Sequence, residues 1–593
     1  MGVSFKLNEV PFSFFGSWMS LSIPAGHSEL YFRNHHFKSH DLFALQGVVN
    51  GRIVPLKIDA QPACLVLTAG EAGRVEICFE SPHTVRMRGQ GMGLRCIGKR
   101  IHAYRDGPGL AVFNFRSALR RYQFEILRGQ FRLAGAYAAP EEDLENMANL
   151  PVEGHGPGSP QAQPDQQSLT LVPDPEGVWE LAIDEFWSTW RRPGRKAFED
   201  CLASARTAFA AFLDSMPPAP PSWARARELA AYINWSCTMS PCGLVQRPTI
   251  FMSKNWMTSV WSWDQCFNAM ALASGQPELA MDQMLTLVDH QDEFGAYTDA
   301  FNDVEKHYNY AKPPIHGFTL GEIRKRLPRP LKREVVQTMY ESLSRQAGWW
   351  MTDRCRRGEG LDALPYYLHG NDSGWDNSTM FAKGVPLVAP DLVALLILQM
   401  EQLADLAGVL DKADEASAWR QRADGLFQGM MAQLWRGDHF VARLANGGAD
   451  VECRSLIPML PLILGHRLAA SVRECLKTGM EGHLTEWGLA TERVDSACYV
   501  ADGYWRGPIW APSTFLAVVG LDRCGYTALA DQVALRFCKL CDQSGFAENF
   551  DACTGQGLRD RAYTWTASVF LLLAQRLVAG RGPVEPNDAR GQS

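Results

Sequence analysis

From Ser222 onwards the chain is a succession of helix-forming patterns with few strand signals between them. Apolar residues recur at helical spacing in about twelve segments, and this restricts the fold more than any other feature of the sequence. The segments are 222–238, 263–274, 277–291, 314–326, 331–352, 389–408, 412–434, 454–463, 468–477, 508–520, 523–542 and 562–579. No fixed repeat period is visible, which disfavours a solenoid. The pattern favours a closed ring of antiparallel helical hairpins.

Several segments rich in aromatic, acidic and amide side chains, with no apolar period, interrupt these helices. They are VWSWDQC (260–266), NYAKPPIHG (309–317), LPYYLHGNDSGWDNSTM (364–380), DVECRS (450–455), DGYWRGPIW (502–510) and GFAENFD (545–551). Each precedes an even-numbered helix. In an antiparallel ring the even-numbered helices all run the same way, so their N-termini, with unpaired backbone donors and a positive dipole end, meet on one face. The segments are therefore predicted to line a single pocket.

The side chains of these segments suit a carbohydrate. Tryptophan and tyrosine rings stack on the apolar faces of sugars, while Asp, Asn and Arg hydrogen-bond their hydroxyl groups. The candidates for this set are Trp263, Trp375, Tyr504, Trp505, Arg506 and Trp510. Asp376 and Glu548 lie on different segments, and two such carboxyl groups suit glycoside hydrolysis, one as acid and one as base.

The first 190 residues have a different pattern of apolar residues. Short apolar or alternating runs, punctuated by glycine, proline and charged turns, indicate a β-sandwich. The runs are VEICFE, TVRMRG, LAVFNF, RYQFEILRG, SLTLV and VWELAIDEFW. A stretch rich in proline, glycine and glutamine at 151–167 is predicted to be a flexible surface loop or linker.

Composition restricts partners and compartment. The net charge is −7 with both signs scattered, so no basic stripe argues for nucleic acid or an anionic membrane. No signal peptide and no membrane span are predicted. The fifteen dispersed cysteines are interpreted as reduced thiols of a cytoplasmic protein. Neither the Cys538–Cys541 pair nor the histidines His35, His36 and His40 are predicted to bind a metal.

The helical half resembles the inverting glycoside hydrolases of family 63, over about residues 250–575. That family includes α-glucosidases and the hydrolases of mannosylglycerate and glucosylglycerate, with trehalases as more distant relatives. The resemblance rests on the motifs WSWDQCF, KPPIHG, NDSGWDNS followed by VAPDLVALL, YWRGPIW, and ENFD with YTWTAS. Each motif is weak alone, whereas all of them, in order and before even-numbered helices, are specific.

The resemblance implies an α-dominated two-domain protein, an (α/α)6 barrel with an N-terminal β-sandwich domain. The predicted organisation is a β-sandwich at 1–195, a helical linker at 196–220, the catalytic barrel at 221–580 and a flexible tail at 581–593. It also implies that Asp376 is the general acid and Glu548 the general base. Neither a metal nor a cofactor is expected.

Further roles are implied for residues of the same motifs. Trp263 and Asp264 correspond to the pair that grips the terminal sugar, and the segment from Tyr504 to Trp510 shapes the same site. The remaining predicted substrate contacts are Lys312, Trp375, Asn377, Asn549 and Trp565.

Two positions depart from the family's pattern. The family often has Ser-Gln-Pro-Pro before the fourth helix, where this chain has Ala311, Lys312, Pro313 and Pro314. It often has a glutamate four positions before the acid, where this chain has Asp372. A lysine is a compact cation suited to a carboxylate. We therefore hypothesise that Lys312 binds a negatively charged group of the substrate, with a neutral α-glucoside as the alternative.

The predicted activity is inverting hydrolysis that releases a terminal α-linked glucose or similar hexose from a short oligosaccharide or glycoside. One alternative is a hydrolase of the glucosylglycerate or mannosylglycerate type, with an acidic aglycone. Another is a disaccharide phosphorylase on the same barrel, which would lack the base and depend on phosphate. A sugar epimerase would need histidines at the pocket, and a binding protein would need neither carboxylate. The expected partner is a small carbohydrate, and the oligomeric state stays open.

Overall fold

The computed structural model describes residues 2–71, 73–99, 101–115, 118–135, 166–356 and 358–579. The chain divides into two compact units, the first comprising 1–211 with 254–258 and the second 212–253 with 259–593. The boundary falls within helix α1 (Phe198–Ser215), in the segment interpreted as a linker. The boundaries at 195 and 220 stay predictions. The tail at 581–593 and most of the loop at 151–167 lie outside the described residues.

The first unit is built from antiparallel strands. They are β1 Phe12–Ser13, β2 Met19–Ser22, β3 Leu30–Asn34, β4 His40–Val49, β5 Arg52–Val54, β6 Lys57–Gln61, β7 Cys64–Thr68, β8 Arg74–Ser81, β9 Thr84–Gln90, β10 Gly93–Lys99, β11 His102–Gly107, β12 Leu110–Phe115, β13 Arg120–Arg128, β14 Gln130–Ala134, β15 Gln166–Val172 and β16 Val178–Phe186. One sheet has the order β1-β2-β3-β4-β10-β15-β14, with β5 also paired to β4. The other has the order β11-β12-β13-β16-β9-β8-β7-β6. The runs predicted as strands are β8, β9, β12, β13, β15 and β16.

Aromatic side chains join the two sheets. Phe43 of the first sheet lies 5.8 Å from Phe113 and 5.7 Å from Phe124 of the second, measured between ring centroids. Phe32 meets Tyr122 edge to face at 5.7 Å. All five rings are buried, and on β13 Tyr122 and Phe124 are two positions apart, as the side-chain period of a strand requires. The alternation in the sequence therefore marks the face of the sheet that is buried.

The histidines near the N-terminus have structural partners in this unit. His35 hydrogen-bonds the hydroxyl groups of Ser20, at 2.8 Å, and Ser39, at 3.0 Å. The ring of His36 stacks on Trp18 with the centroids 4.3 Å apart. Both rings are thus accounted for by packing and hydrogen bonding within the β-sheet unit.

The second unit is helical. Its described α-helices are α2 Ala224–Ser236, α3 Asp264–Leu272, α4 Pro277–Val288, α5 His316–Arg326, α6 Arg333–Thr352, α7 Pro390–Val409, α8 Ala413–Leu434, α9 Ala470–Glu481, α10 Ala511–Arg523, α11 Thr527–Ser544 and α12 Thr564–Ala579. A 3-10 helix, Ile457–Arg467, lies between α8 and α9. Short strand pairs join the loops; they are Thr238–Met239 with Thr249–Ile250, Val260–Trp261 with Ala300–Phe301 and Lys306–His307, Leu387–Val388 with Ala442–Leu444 and Asp450–Val451, and Asn549–Phe550 with Gly557–Leu558.

Alternate helices close an inner ring. Helix α3 packs against α5, α5 against α7, and α7 against the 3-10 helix. The 3-10 helix packs against α10, α10 against α12, and α12 against α3 again. The other helices cover this ring, with α4 on α3, α8 on α7 and α11 on α10 and α12. This is the closed ring of hairpins that the helical patterns favoured.

The segment predicted as the eighth helix differs in type. It is a 3-10 helix with Pro461 inside it and Pro458 near its start, and Gly465 interrupts it with a φ of 63°. Proline has no backbone N–H and clashes with the preceding turn of an α-helix. The apolar period therefore predicted a helix at about this position, 454–463, while the prolines favour the tighter 3-10 form.

Helix α7 (Pro390–Val409) is long and apolar enough to cross a membrane by length and composition alone. It is an inner helix of the ring, and most of its side chains are buried against neighbouring helices. Burial on most sides explains why this helix is apolar around most of its circumference.

The close approach of α5 and α7 generates a test of the packing. A Cβ atom on Gly317 would lie 2.5 Å from the Cα atom of Gln399, whereas one on Gly348 of α6 would meet nothing within 4 Å. Gly317→Ala should therefore lower the melting temperature, with a cost of about 1–3 kcal/mol from overpacking. Gly348→Ala should raise it slightly, because alanine is the better helix former. Thermal unfolding followed by circular dichroism measures both, and equal effects would contradict the packing.

Candidate active site

The loops that enter the inner helices contact one another. The amide of Asn377 donates to the carbonyl of Gly503 at 2.9 Å and accepts from the backbone N–H of Trp505 at 2.9 Å. The hydroxyl groups of Ser378 and Ser455 are 3.0 Å apart. The loop before α7 is thus joined to the loops before the 3-10 helix and before α10.

The other loops complete the circle. Ile509, before α10, forms backbone hydrogen bonds with Phe550, before α12. The ring of Trp263, at the start of α3, meets Trp565, at the start of α12, edge to face at 5.4 Å. Lys312, before α5, donates to the carbonyl of Asn371, before α7, at 2.9 Å. The segments singled out in the sequence therefore converge on one face of the ring.

Gly374 allows the turn that carries Asp376. It ends the 3-10 helix Gly370–Ser373 in the left-handed region, with a φ of 74°. A Cβ atom there would lie 2.5 Å from the ring of Trp263. Only glycine combines this conformation with so close a neighbour. The turn of the Ser-Gly-Trp-Asp sequence thus packs closely against Trp263.

Tryptophan rings from several of these loops pack together. Trp505 stacks on Trp510 with the centroids 4.0 Å apart and the planes at 6°, and Trp375 lies 4.7 Å from Trp505. Trp510 meets Trp565 at 5.5 Å. Each of these rings is at most 3% exposed. They support one another, and Trp505 and Trp510 each have one face covered by the other, so sugar stacking by these rings stays a prediction.

Asp376 is half-buried among charged groups. Burial raises the pKa of its carboxyl group, and the negative charge of Asp299 adds to the rise, while Lys312 and His369 oppose it. Its charge also reaches Asp264 and Tyr504, whose pKa values it raises. A carboxyl group in this setting holds its proton more tightly than one in water.

Glu548 is the second carboxyl group of the cluster and is 4% exposed. Burial raises its pKa to about 7, with the charge of Asp560 adding to the rise, and a hydrogen bond from Tyr504 opposes it. The backbone N–H of Glu548 donates to the carbonyl of Asp560 at 2.7 Å. Burial raises the pKa of Tyr504, and the charges of Glu548 and Asp376 add to the rise, so its side chain lies near both predicted catalytic groups.

Tyr504 is held in an unusual backbone conformation. Its φ is 63°, which is rare for a residue with a side chain. The indole N–H of Trp510 donates to its carbonyl at 2.8 Å, and the guanidinium group of Arg559 lies over its ring at 4.9 Å. These contacts fix the hydroxyl beside Glu548.

Asp264 and Lys312 lie in the same cluster. Asp264 is the first residue of α3, and burial raises its pKa well above the usual value, while the charge of Lys312 opposes the rise. The ammonium group of Lys312 is 3.1 Å from Oδ1 of Asp299. The charge that was hypothesised to bind a substrate carboxylate is therefore already paired inside the protein.

The remaining predicted contacts fall into two kinds. Among the described residues, both side-chain polar atoms of Asn549 and the indole N–H of Trp565 are buried without a hydrogen-bond partner. Buried polar groups normally have partners, so these atoms are suited to ligand hydroxyl groups. By contrast, Arg506 donates to the carbonyl of Cys498 at 3.2 Å, and Asn377 bridges two loops as described above.

Sequence reasoning missed several members of the cluster. Burial raises the pKa of Tyr563, and the charges of Glu548 and Asp264 add to the rise; its position two residues before Trp565, within the same motif, could have identified it. Asp299 lies outside all of the motifs, before the segment that begins at Asn309. It adjoins the strand Ala300–Phe301, which pairs with Val260–Trp261, and its carbonyl accepts from the N–H of Ser262 at 3.2 Å; these contacts bring it to the site.

A cavity of about 710 Å³ lies elsewhere in the helical unit. It is bordered by the C-terminal half of α5, the loop after it and α7, with Arg324, Gln402 and Arg523 among its lining residues. None of the predicted site residues lines it.

The comparisons with known proteins bear on the family and on the fold. Residues 257–566 match the family described as the mannosylglycerate hydrolase MGH1-like glycoside hydrolase domain. A mannosylglycerate hydrolase from Rubrobacter radiotolerans is 25% identical over an alignment of 401 residues that covers 52% of this chain and 89% of the relative.

Two solved structures show the fold. A family 63 mannosylglycerate hydrolase from Thermus thermophilus in complex with glucose has a TM-score of 0.51 and 18% identity, and the match covers 58% of this chain and 99% of that one. A bacterial glucoamylase in complex with acarbose has a TM-score of 0.59 and 10% identity, covering 98% of this chain and 95% of that one. Since the family match spans just over half of the 593 residues, the chain belongs to the mannosylglycerate hydrolase MGH1-like glycoside hydrolases.

Proposed function

We propose that this glycoside hydrolase cleaves a terminal α-linked hexose from a small glycoside with inversion of configuration. Asp376 protonates the glycosidic oxygen as the bond to the anomeric carbon breaks. Glu548 takes a proton from the water that attacks that carbon from the opposite face. An inverting pair of carboxyl groups lies roughly 6.5–9.5 Å apart, which leaves room for the water. The family match, with both carboxyl groups beside Tyr504, is the observation that carries the proposal.

The substrate we favour has an acidic aglycone. The matched family and the Rubrobacter relative carry the name mannosylglycerate hydrolase, and glycerate is a small hydroxy acid. An α-hexosyl glycerate is accordingly the first substrate to test, with glucose or mannose as the hexose. A neutral α-glucoside is the alternative, and a panel with mannosylglycerate, glucosylglycerate, trehalose, kojibiose and nigerose separates the two.

A disaccharide phosphorylase is the second candidate. Such an enzyme would use phosphate in place of water and would not need Glu548. The buried Glu548 with its raised pKa supports hydrolysis instead, since a base is present where water would be activated. Turnover that depends on added phosphate would favour the phosphorylase.

The proposal extends to the compartment and to the kind of partner. We propose a cytoplasmic enzyme that acts on a small carbohydrate without nucleic acid or membrane. All fifteen cysteines lie among the described residues and none forms a disulfide, which is what a reducing compartment favours.

Removing either carboxyl group tests the catalytic assignment. Asp376→Asn and Glu548→Gln keep the shape of the side chain but cannot transfer the proton, so kcat should fall by about a hundredfold to ten-thousandfold in each. Asp531→Asn, in α11 and paired with Arg576, is the matched control and should retain full activity. Half of the wild-type activity in either variant would remove that residue from catalysis.

The same variants decide which group is the acid. Burial raises the pKa of Glu548 to about 7, a value that would also suit a group holding a proton. A hexosyl fluoride needs no proton on its leaving group, so Asp376→Asn should recover activity on it, whereas Glu548→Gln should not. The opposite result would exchange the two roles.

Inversion has a direct readout. Hydrolysis of an α-glycoside should release the β-anomer first, because water attacks the face opposite to the leaving group. Proton NMR during the first turnovers distinguishes the anomers before they equilibrate. Early α-anomer would contradict the inverting mechanism.

The pH dependence tests the environment of the base. Glu548 must be ionised to accept a proton, so kcat/KM should fall as the pH drops below about 7. The neighbouring charge of Asp560 raises the pKa of Glu548, so Asp560→Asn should move this acidic limb to lower pH. Glu322→Gln, at a buried ion pair with Arg523 and Arg326, should leave the limb in place. An unchanged limb in Asp560→Asn would contradict the assignment.

A further inference from the structure

The Lys312 ammonium group is held inside the protein. Its Nζ atom is 3.1 Å from Oδ1 of Asp299 and donates to the carbonyl of Asn371 at 2.9 Å. The side chain of Lys312 is 6% exposed and that of Asp299 is 12% exposed. A buried charge without a partner is costly, so an ammonium group at this depth depends on the carboxylate beside it.

The backbone next to Lys312 is tied to the loop that carries Asp376. The N–H of Ala311 donates to Oδ1 of Asp372 at 2.8 Å. The other oxygen of Asp372 accepts from Arg354 at 2.7 Å and from the N–H of Leu368 at 2.8 Å. Asp372 belongs to the 3-10 helix Gly370–Ser373, which ends at Gly374, two positions before Asp376. The ion pair and Asp372 thus join the loops before α5 and α7.

The pair also sets the charges around Asp376. Lys312 lowers the pKa of Asp376 and Asp299 raises it, so the two effects oppose each other. The other groups that face this carboxyl group are His369, which lowers its pKa, and Asp264 and Tyr504, whose own titrations it affects. Loss of one member of the pair would leave the charge of the other uncompensated beside the reacting bond.

We propose that Asp299 and Lys312 form an ion pair that positions the loop carrying Asp376. The charge of Lys312 is then neutralised by Asp299 and does not bind an acidic group of the substrate. The inference rests on the proposed function of Asp376. It accounts for a lysine where the related enzymes often have a neutral glutamine, because Asp299 neutralises it. Removing Asp299 should free Lys312 to attract an acidic substrate, and removing Lys312 should not weaken such a substrate selectively.

The test compares Asp299→Asn, Lys312→Gln and the double variant on an α-hexosyl glycerate and a neutral α-hexoside. The acid must be protonated, so the alkaline limb of kcat/KM reports Asp376. Asp299→Asn should move this limb to lower pH by about one unit, and Lys312→Gln should move it to higher pH. The double variant should return it towards the wild-type position. Asp299→Asn should also lower KM for the acidic substrate about threefold relative to the neutral one.

Glu322→Gln is the matched control, since it removes a 7% exposed carboxylate from an ion pair at Arg326 and Arg523. It should lower the melting temperature without moving the alkaline limb or the substrate preference. An alkaline limb of kcat/KM that stays at the wild-type pH in both Asp299→Asn and Lys312→Gln would overturn the proposal. So would Lys312→Gln raising KM tenfold for the acidic substrate alone.

A measurement without substrate separates this inference from the proposed function. The melting temperatures of the single variants should each fall, and the double variant should lose less than the sum, because only the singles leave an unpaired charge. If the falls in melting temperature are additive, the pairing is overturned even when the enzyme is active. If they are coupled but the protein hydrolyses no glycoside, only the proposed function is wrong. Should Asp299→Asn fail to fold, recovery in the double variant supports the pair and its absence overturns it.

Discussion

The site depends on the closure of the inner ring, in which α12 packs back against α3. Because the inner ring is made of every second helix of the chain, its helices all run the same way, and one face collects all the loops that enter them. Few of these loops could fold alone, since they are short and polar and have no apolar period of their own. Each is instead held by its neighbours around the circle, as when Asn377 joins the loops before α7 and α10. The helices supply the stability, and the loops supply the chemistry.

Burial then determines the electrostatics of that face. The carboxyl groups of Asp264, Asp376 and Glu548 all have raised pKa values, and in each case burial is the largest cause. The packed tryptophan rings of the same loops exclude water and carry no charge, which strengthens the interactions between the charged groups around them. The abundance of tryptophan in these loops is thus explained by support and dehydration as well as by any contact with a sugar.

Much of this arrangement could be predicted from the sequence, for identifiable reasons. Apolar periodicity located the helices. The unusual segments precede every second helix of the sequence, which predicted a common face, and the hydrogen bonds of Asn377 and Lys312 between these loops confirm it. Local signals could not show that Pro461 would turn one helix into a 3-10 helix without breaking the ring. They also could not reveal Asp299, which reaches the cluster through the pairing of Ala300–Phe301 with Val260–Trp261, about forty positions earlier in the chain.

Lys312 shows why a residue type alone is a poor guide to what it binds. In the sequence it is a cation in a pocket loop, and a cation in such a place suggests an anionic ligand. In the structure the nearest anion is Asp299, at 3.1 Å, and both side chains are largely withdrawn from water. A substrate carboxylate would have to compete with that partner and would bring a further negative charge towards Asp264 and Asp376. Recognition of an acidic aglycone is therefore better sought among cations nearer the solvent. Arg559 is one such cation: its guanidinium group lies over the ring of Tyr504, and its partner Asp502, at 2.8 Å, is 62% exposed and so more easily displaced than the buried Asp299.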